Sequence, residues 1–252
     1  MAGAGFIHGD DTDNLSLAGE TIDYGPCAFM ETDDPATVFS SIDQGGRYAY
    51  ARQPEMAQWN LARLAECLLP FLAEDQDRAV EVATEVVNQF ARWFEADWRE
   101  EMARKLGLAT EHPHDQRLVE DLLELMQGAR ADFTLSFRAL AASVEGDADG
   151  FRRQLGEGTA VDQWLSRWRE RLEREGAEPE AAAQRLRAAN PGCIPRNHQV
   201  EQAISAAETG DSAPFEALLD AVTRPFDEDT AQGPFARPPE PGEEVAQTFC
   251  GT

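Results

Sequence analysis

Lysine is almost absent from this 252-residue chain: of its 22 basic residues, only Lys105 is not an arginine. A nucleotide-transfer site of the kinase kind uses a strand lysine on the phosphates, and Lys105 sits in a helical pattern far downstream of the acidic motifs that would need it. Cysteine is scarce as well. Cys27, Cys67, Cys193 and Cys250 are too few and too scattered for a disulfide framework, and none belongs to a CxxC pair of the structural zinc type. Long apolar runs are missing too. Nothing approaches the roughly 20 residues that span a bilayer, and the N-terminus lacks a basic region followed by an apolar signal core. The expectation is a soluble, cytoplasmic protein without a membrane partner. Positive charge is in short supply, with 22 basic against 47 acidic residues and a formal net charge of −25. The surface potential is therefore strongly negative, which disfavours nucleic acid as a partner.

What is present starts with a 42% hydrophobic content, enough to bury a sizeable core. Near the start, Thr12-Asp13-Asn14 is followed by Asp23, within Thr21-Ile22-Asp23-Tyr24-Gly25-Pro26. Phosphoryl-type chemistry needs such oxygen donors. One carboxylate stands beside the attacking hydroxyl, while an amide and a second carboxylate hold a divalent cation on the nucleotide. The bland alternative is a solvated acidic turn with Asx capping, Asp23 merely ending a strand. Other clusters read as structural. His8 is a hydrogen-bonding residue behind the loop, and His112-Pro113-His114-Asp115 is a loop and helix start. Glu145, Asp147, Asp149 and Gly150 match only the first half of a calcium loop, because Gly156 occupies the position of the bidentate glutamate. Cys67 reads as a small core residue and the tryptophans Trp59, Trp93, Trp98, Trp164 and Trp168 as core and helix-packing material. Cys250, near the end of a tail rich in proline, glycine and glutamate, is an exposed thiol or a redox-active one.

Three parts are expected along the chain. Residues 1–52 are short-period and turn-rich, with a small β hairpin through Leu15-Ser16-Leu17 and Glu20-Thr21-Ile22 that carries the acidic residues. Residues 53–224 are helical. Pro54 suits a first turn, Pro70 and Asp75 mark a break and a new N-cap, and a long amphipathic helix runs towards Gly107. Further helices are expected near 115–127, 130–144, 159–175, 178–189, 198–208 and 213–223. Residues 225–252, with Pro234, Pro238, Pro239 and Pro241, read as an extended tail.

Several motifs in order carry a resemblance: Gly5-Phe6-Ile7-His8-Gly9, Thr12-Asp13-Asn14, Thr21 to Pro26, Gly46-Arg47-Tyr48-Ala49-Tyr50 with Gln53-Pro54, and Trp59-Asn60-Leu61. Trp98-Arg99, Lys105-Leu106-Gly107, Asn190-Pro191, Pro195-Arg196-Asn197-His198, Gly210-Asp211 and Phe249-Cys250-Gly251-Thr252 follow. Together they resemble the selenoprotein O family of protein adenylyltransferases over essentially the whole chain. The resemblance implies a mainly α architecture: a protein-kinase-like C-terminal lobe with a small β hairpin and a C-terminal helical extension. It implies transfer of AMP from ATP to Ser, Thr or Tyr hydroxyls of proteins with Mg²⁺ or Mn²⁺, and UTP use in some members.

Carried over residue by residue, Asp13 is the catalytic base, Asn14 and Asp23 are metal ligands, and Asp23 also lies against the nucleotide phosphates. Some members regulate themselves through a disulfide between the activation-like segment and the C-terminal cysteine. That makes Cys27 and Cys250 a candidate redox pair, although this sequence has serines at Ser40 and Ser41 and no cysteine later in that segment. Members are about twice as long, so the chain reads as a C-terminal portion lacking the N-terminal lobe. Between His-Gly and Thr-Asp-Asn it has only Asp10-Asp11, one residue fewer than usual. The expectation is weak or no transfer by this chain alone, the alternative being a non-catalytic remnant or a binding subunit that needs a separate N-terminal lobe.

Overall fold

The computed structural model describes residues 28–110 and 112–248. The expected hairpin through Leu15 and Ile22 lies outside the described residues. Among them, regular structure is helical, and Thr32 and Asp132 form an isolated antiparallel bridge. The mainly α expectation holds.

The helices are α1 (Gln53–Leu72), α2 (Gln76–Lys105), α3 (Asp115–Ala129), α4 (Phe133–Val144), α5 (Asp149–Leu155), α6 (Thr159–Arg174), α7 (Pro179–Ala189), α8 (Asn197–Glu208), α9 (Ala213–Val222) and α10 (Glu228–Ala231). Most boundaries follow from local chemistry. Pro54 sits in the first turn of α1, where its missing N–H is no loss. Pro70 does not break α1, which continues to Leu72. Asp75 caps α2, its carboxylate accepting from the Arg78 amide at 2.9 Å. Asp132 does the same for α4 through the Leu135 amide at 2.8 Å.

The chain divides into two compact units. The larger comprises Phe29–Asp34 with Glu100–Ala246, and contains most of the fully buried apolar side chains. Its helices pair as α4 with α5 and α7, α3 with α5 and α6, and α8 with α9. In α6, Val161, Trp164, Leu165, Trp168 and Leu172 recur at helical spacing and are all buried. Trp164 and Trp168 stack with centroids 5.8 Å apart, and Phe151 stacks on Trp164 at 5.4 Å. Each indole N–H finds a carbonyl, Trp164 donating to Leu118 at 2.8 Å and Trp168 to Leu106 at 2.9 Å. Burying the rings therefore strands no donor.

Two glycines in this unit are fixed by close approach. Gly107 has φ +73°, and a Cβ there would lie 2.7 Å from the Leu186 Cγ; one on Gly192 would lie 2.2 Å from the Ala231 Cβ. The stretch past Pro225 is not wholly extended. It holds α10 and a 3₁₀ turn at Pro234–Ala236, whose Ala236 and Phe235 pack with Cys193 and Ala221.

The smaller unit contains Pro35–Arg99, hence α1 and α2 as far as Arg99. It differs in kind. Across its two long helices only Asn60 and Ala79 are fully buried. Cys67, expected in a core, is exposed, and Trp93 and Phe71 are 54% and 83% exposed. Trp59 is partly exposed, with the Arg47 and Arg63 guanidinium groups 4.9 and 5.2 Å from its ring centroid.

Candidate functional site

Asp13, Asn14 and Asp23 lie outside the described residues, as do His8, Cys27 and Cys250. Shortly after Asp23 and Cys27 in sequence comes the segment Phe29–Asp34, and the structure shows what holds it. Asp33 donates its amide to the Ala131 carbonyl at 3.0 Å, and Phe133 donates to the Glu31 carbonyl at 2.8 Å. Asn197 donates its side-chain amide to the Phe29 carbonyl at 3.3 Å and its backbone N–H to the Glu31 carboxylate at 3.2 Å. Six residues past Asp23, the chain is thus clamped between the start of α4 and the start of α8.

One ion pair ties those two helix starts together. Arg196 is fully buried and donates to the second Asp132 oxygen at 2.5 Å, while its other terminal nitrogen donates to the Ala236 carbonyl at 3.2 Å. Asp132 therefore caps α4 with one oxygen and pairs Arg196 with the other. Nearby, burial holds the Glu31 carboxyl above its ordinary range, with the Arg196 charge opposing. Asp33 is only 4% exposed, and burial, with Asp34 beside it, pushes its carboxyl up to about 6. A perturbed carboxyl ten residues past Asp23 is a candidate that Asp33-Asp34-Pro35, read only as irregular chain, did not suggest.

A second cluster joins two of the sequence motifs. Lys105 donates from Nζ to the Asn190 Oδ1 at 3.2 Å, and the Asn190 amide returns a bond to the Lys105 carbonyl at 2.8 Å. The ammonium also lies 4.9 and 5.6 Å from the Phe137 and Phe133 ring centroids. Burial pulls its pKa down to about 8. These contacts make the sole lysine a fastening of α2 to the end of α7. The histidine cluster forms the loop and helix start that its sequence predicts: α3 begins at Asp115, whose carboxylate Arg171 grips at 2.6 and 3.0 Å. Among the described residues no three His, Cys, Asp or Glu side chains are grouped to hold a metal, and no helix is long and apolar enough to cross a membrane.

In the smaller unit, Asp43 receives the Arg47 and Tyr48 amides at 2.9 and 2.8 Å, which shapes the turn leading to the Gly46 to Tyr50 motif. The chain's end meets the same segment. Ser41 donates to the Thr248 carbonyl at 2.8 Å and the Thr248 hydroxyl donates to the Phe39 carbonyl at 2.7 Å.

The geometry defines a helical protein in which widely separated motifs clamp the segment Phe29–Asp34. The family model described as protein adenylyltransferase SelO matches residues 1–223, and the chain belongs to that family. Among curated relatives, a protein nucleotidyltransferase YdiU from Rhizobium meliloti (strain 1021) is 53% identical over 98% of this chain and 51% of its own length. Those of Rhizobium etli (strain CIAT 652) and Agrobacterium fabrum (strain C58 / ATCC 33970) are 52% and 49% identical, again over 98% of this chain and about half of theirs. The chain spans about half the length of the curated relatives it matches.

Proposed function

We propose that this chain carries the base and the metal ligands of a nucleotide-transfer site and takes part in moving AMP from ATP, or UMP from UTP, to Ser, Thr or Tyr hydroxyls of proteins. The observation that carries this reading is the spacing of Thr12-Asp13-Asn14 and Asp23 in a chain belonging to a protein adenylyltransferase family. Asp13 accepts the proton of the attacking hydroxyl as that oxygen bonds the α-phosphorus and pyrophosphate leaves. Asn14 and Asp23 offer only oxygen donors, which suit a hard cation such as Mg²⁺ or Mn²⁺, and Asp23 also faces the nucleotide phosphates. When bound, the cation offsets phosphate charge. The clamp on Phe29–Asp34 supports the reading, because a site of this kind needs its flanking chain held by packed elements.

A second reading is a binding subunit or remnant that acts only with an N-terminal lobe. The thinly covered helices α1 and α2 favour it, since their apolar side chains have few neighbours among the described residues. Incubation with α-labelled ATP and Mg²⁺ or Mn²⁺ separates the two. Label on wild type that disappears in Asp23→Ala and Asp13→Ala supports transfer by this chain, whereas no label at millimolar nucleotide defeats that and leaves the second reading standing.

A further inference from the structure

Helices α8 and α9 pair as a hairpin in the larger unit, and its outer side is apolar where the rest of that unit is not. Among the described residues, the large apolar side chains that the unit leaves exposed are Ile204, Phe215, Leu219 and Phe226, all in or just after this hairpin. The exposure is therefore confined to one place. Around α9, at 100° per residue, Leu218 and Ala221 are buried, Phe215 and Leu219 come next at 52% and 47% exposed, and Glu216 and Asp220 follow. On α8, Ile204 has Glu201 and Glu208 within about 60° of it on the same side. Both helices thus carry an apolar strip edged by carboxylates. From Glu201 to Asp229, eight of 29 residues are acidic and one is basic, against 47 and 22 of 252 overall. That base, Arg224, is engaged by Asp220 and Asp227, and Arg138 reaches from α4 only to Glu228. Glu201 and Glu208 enter no ion pair among the described residues.

We propose that the outer face of α8 and α9 is a docking site for an amphipathic helix of another protein, apolar along one side and bearing lysine or arginine along its flanks. Charge complementarity selects this occupant. The strip of Phe215 and Leu219 suits apolar anchors three or four residues apart on such a helix, and the carboxylates edging it meet basic flanks. A second copy of this chain would bring the same carboxylates to the contact, so self-pairing is opposed by like-charge repulsion. An anionic bilayer or a nucleic acid would also add negative charge to negative charge. The contact stands apart from nucleotide transfer. A binding measurement decides it whether or not transfer occurs.

The test titrates this chain into a fluorescein-labelled helical peptide of leucine and lysine, roughly 18 residues long with its leucines on one face, and follows anisotropy. A scrambled peptide of the same composition has no apolar face and measures charge alone. The amphipathic peptide should bind about 10-fold more tightly than the scrambled one, and its binding should weaken as salt is raised. Phe215→Ser with Leu219→Ser should weaken it about 10-fold. Glu201→Gln with Glu208→Gln should weaken it about 5-fold, whereas Glu173→Gln with Glu180→Gln, removing the same charge from α6 and α7, should change it less than about 2-fold. Amide exchange of the wild-type chain needs no variant: the peptide should slow it in α8 and α9 and leave α3 and α6 unchanged. The proposal is overturned by equal binding of the two peptides, by protection outside α8 and α9, by serine variants that fold and bind as wild type does, or by equal losses from the two glutamine pairs. A homodimer that the serine substitutions dissolve would overturn it too, as would loss of peptide binding when this chain is joined to the half of the Rhizobium meliloti relative that it does not match.

Discussion

The buried pair Asp132–Arg196 offers the sharpest test of how this molecule is held together. Asp132→Asn keeps a good helix cap, because asparagine accepts from the Leu135 amide as aspartate does, but it removes the charge facing a fully buried guanidinium. Removing one partner of a buried ion pair costs about 3–5 kcal/mol, since the remaining charge has no compensation. Arg196→Met removes the other partner, leaving a carboxylate that is 8% exposed, and should cost a similar amount. The double variant leaves no lone buried charge. Its cost should stay near that of one single variant, giving a coupling of about 3–5 kcal/mol. Urea unfolding followed by near-ultraviolet circular dichroism, to which the stacked Trp164 and Trp168 contribute, reads this directly. With a slope of about 2 kcal/mol per M, each single variant should lower the midpoint by roughly 2 M. Strictly additive losses, or a loss under about 1 kcal/mol in Asp132→Asn, would refute the assignment of this pair as the tie between α4 and α8.

Other expectations follow from the same unit. Lys105 titrates near 8 in the folded chain, because burial disfavours its ammonium, and near 10.4 when unfolded. Between those values the unfolded state binds more protons, so stability rises with pH across that window, and the full cost of burying the charge applies below it. Relative to Lys105→Met, wild type should gain about 3 kcal/mol between pH 7.5 and 10.5; parallel pH profiles in urea unfolding would contradict this. Gly107→Ala forces a Cβ against Leu186 at φ +73° and should lower Tm by roughly 5–15 °C, for a cost of about 2–4 kcal/mol. Gly210→Ala, at φ +90° with open space, should show only the smaller backbone part, and equal losses at both sites would remove the steric explanation.

Helices were legible because a 3.6-residue apolar period and cap residues are local properties, as Asp75 and the Asp115 start illustrate. The α5 helix was not legible. Glu145, Asp147, Asp149 and Gly150 look like loop composition, and seven residues give too little periodicity. In sequence Cys67 and Trp93 have the pattern of core residues, yet they stand exposed, because periodicity identifies an apolar face without saying what covers it. The clamp was hidden for another reason. Asp132 and Arg196 are 64 residues apart, and Lys105 and Asn190 are 85 apart, so no local pattern links them. The sequence motifs Pro195-Arg196-Asn197-His198 and Asn190-Pro191 marked one side of each contact without naming its partner. The acidic motif itself was legible only as chemistry, from residue types and spacing.

Having a single lysine, and burying it, turns that residue into a reporter. Lys105 is 5% exposed, and no other side chain in the sequence bears a primary amine. An amine-directed acylating reagent should find no lysine on the folded surface and should modify Lys105 only as fast as the end of α2 comes away from Asn190. The rate at which that one site is consumed would then clock the opening of the larger unit, without a probe having to be introduced.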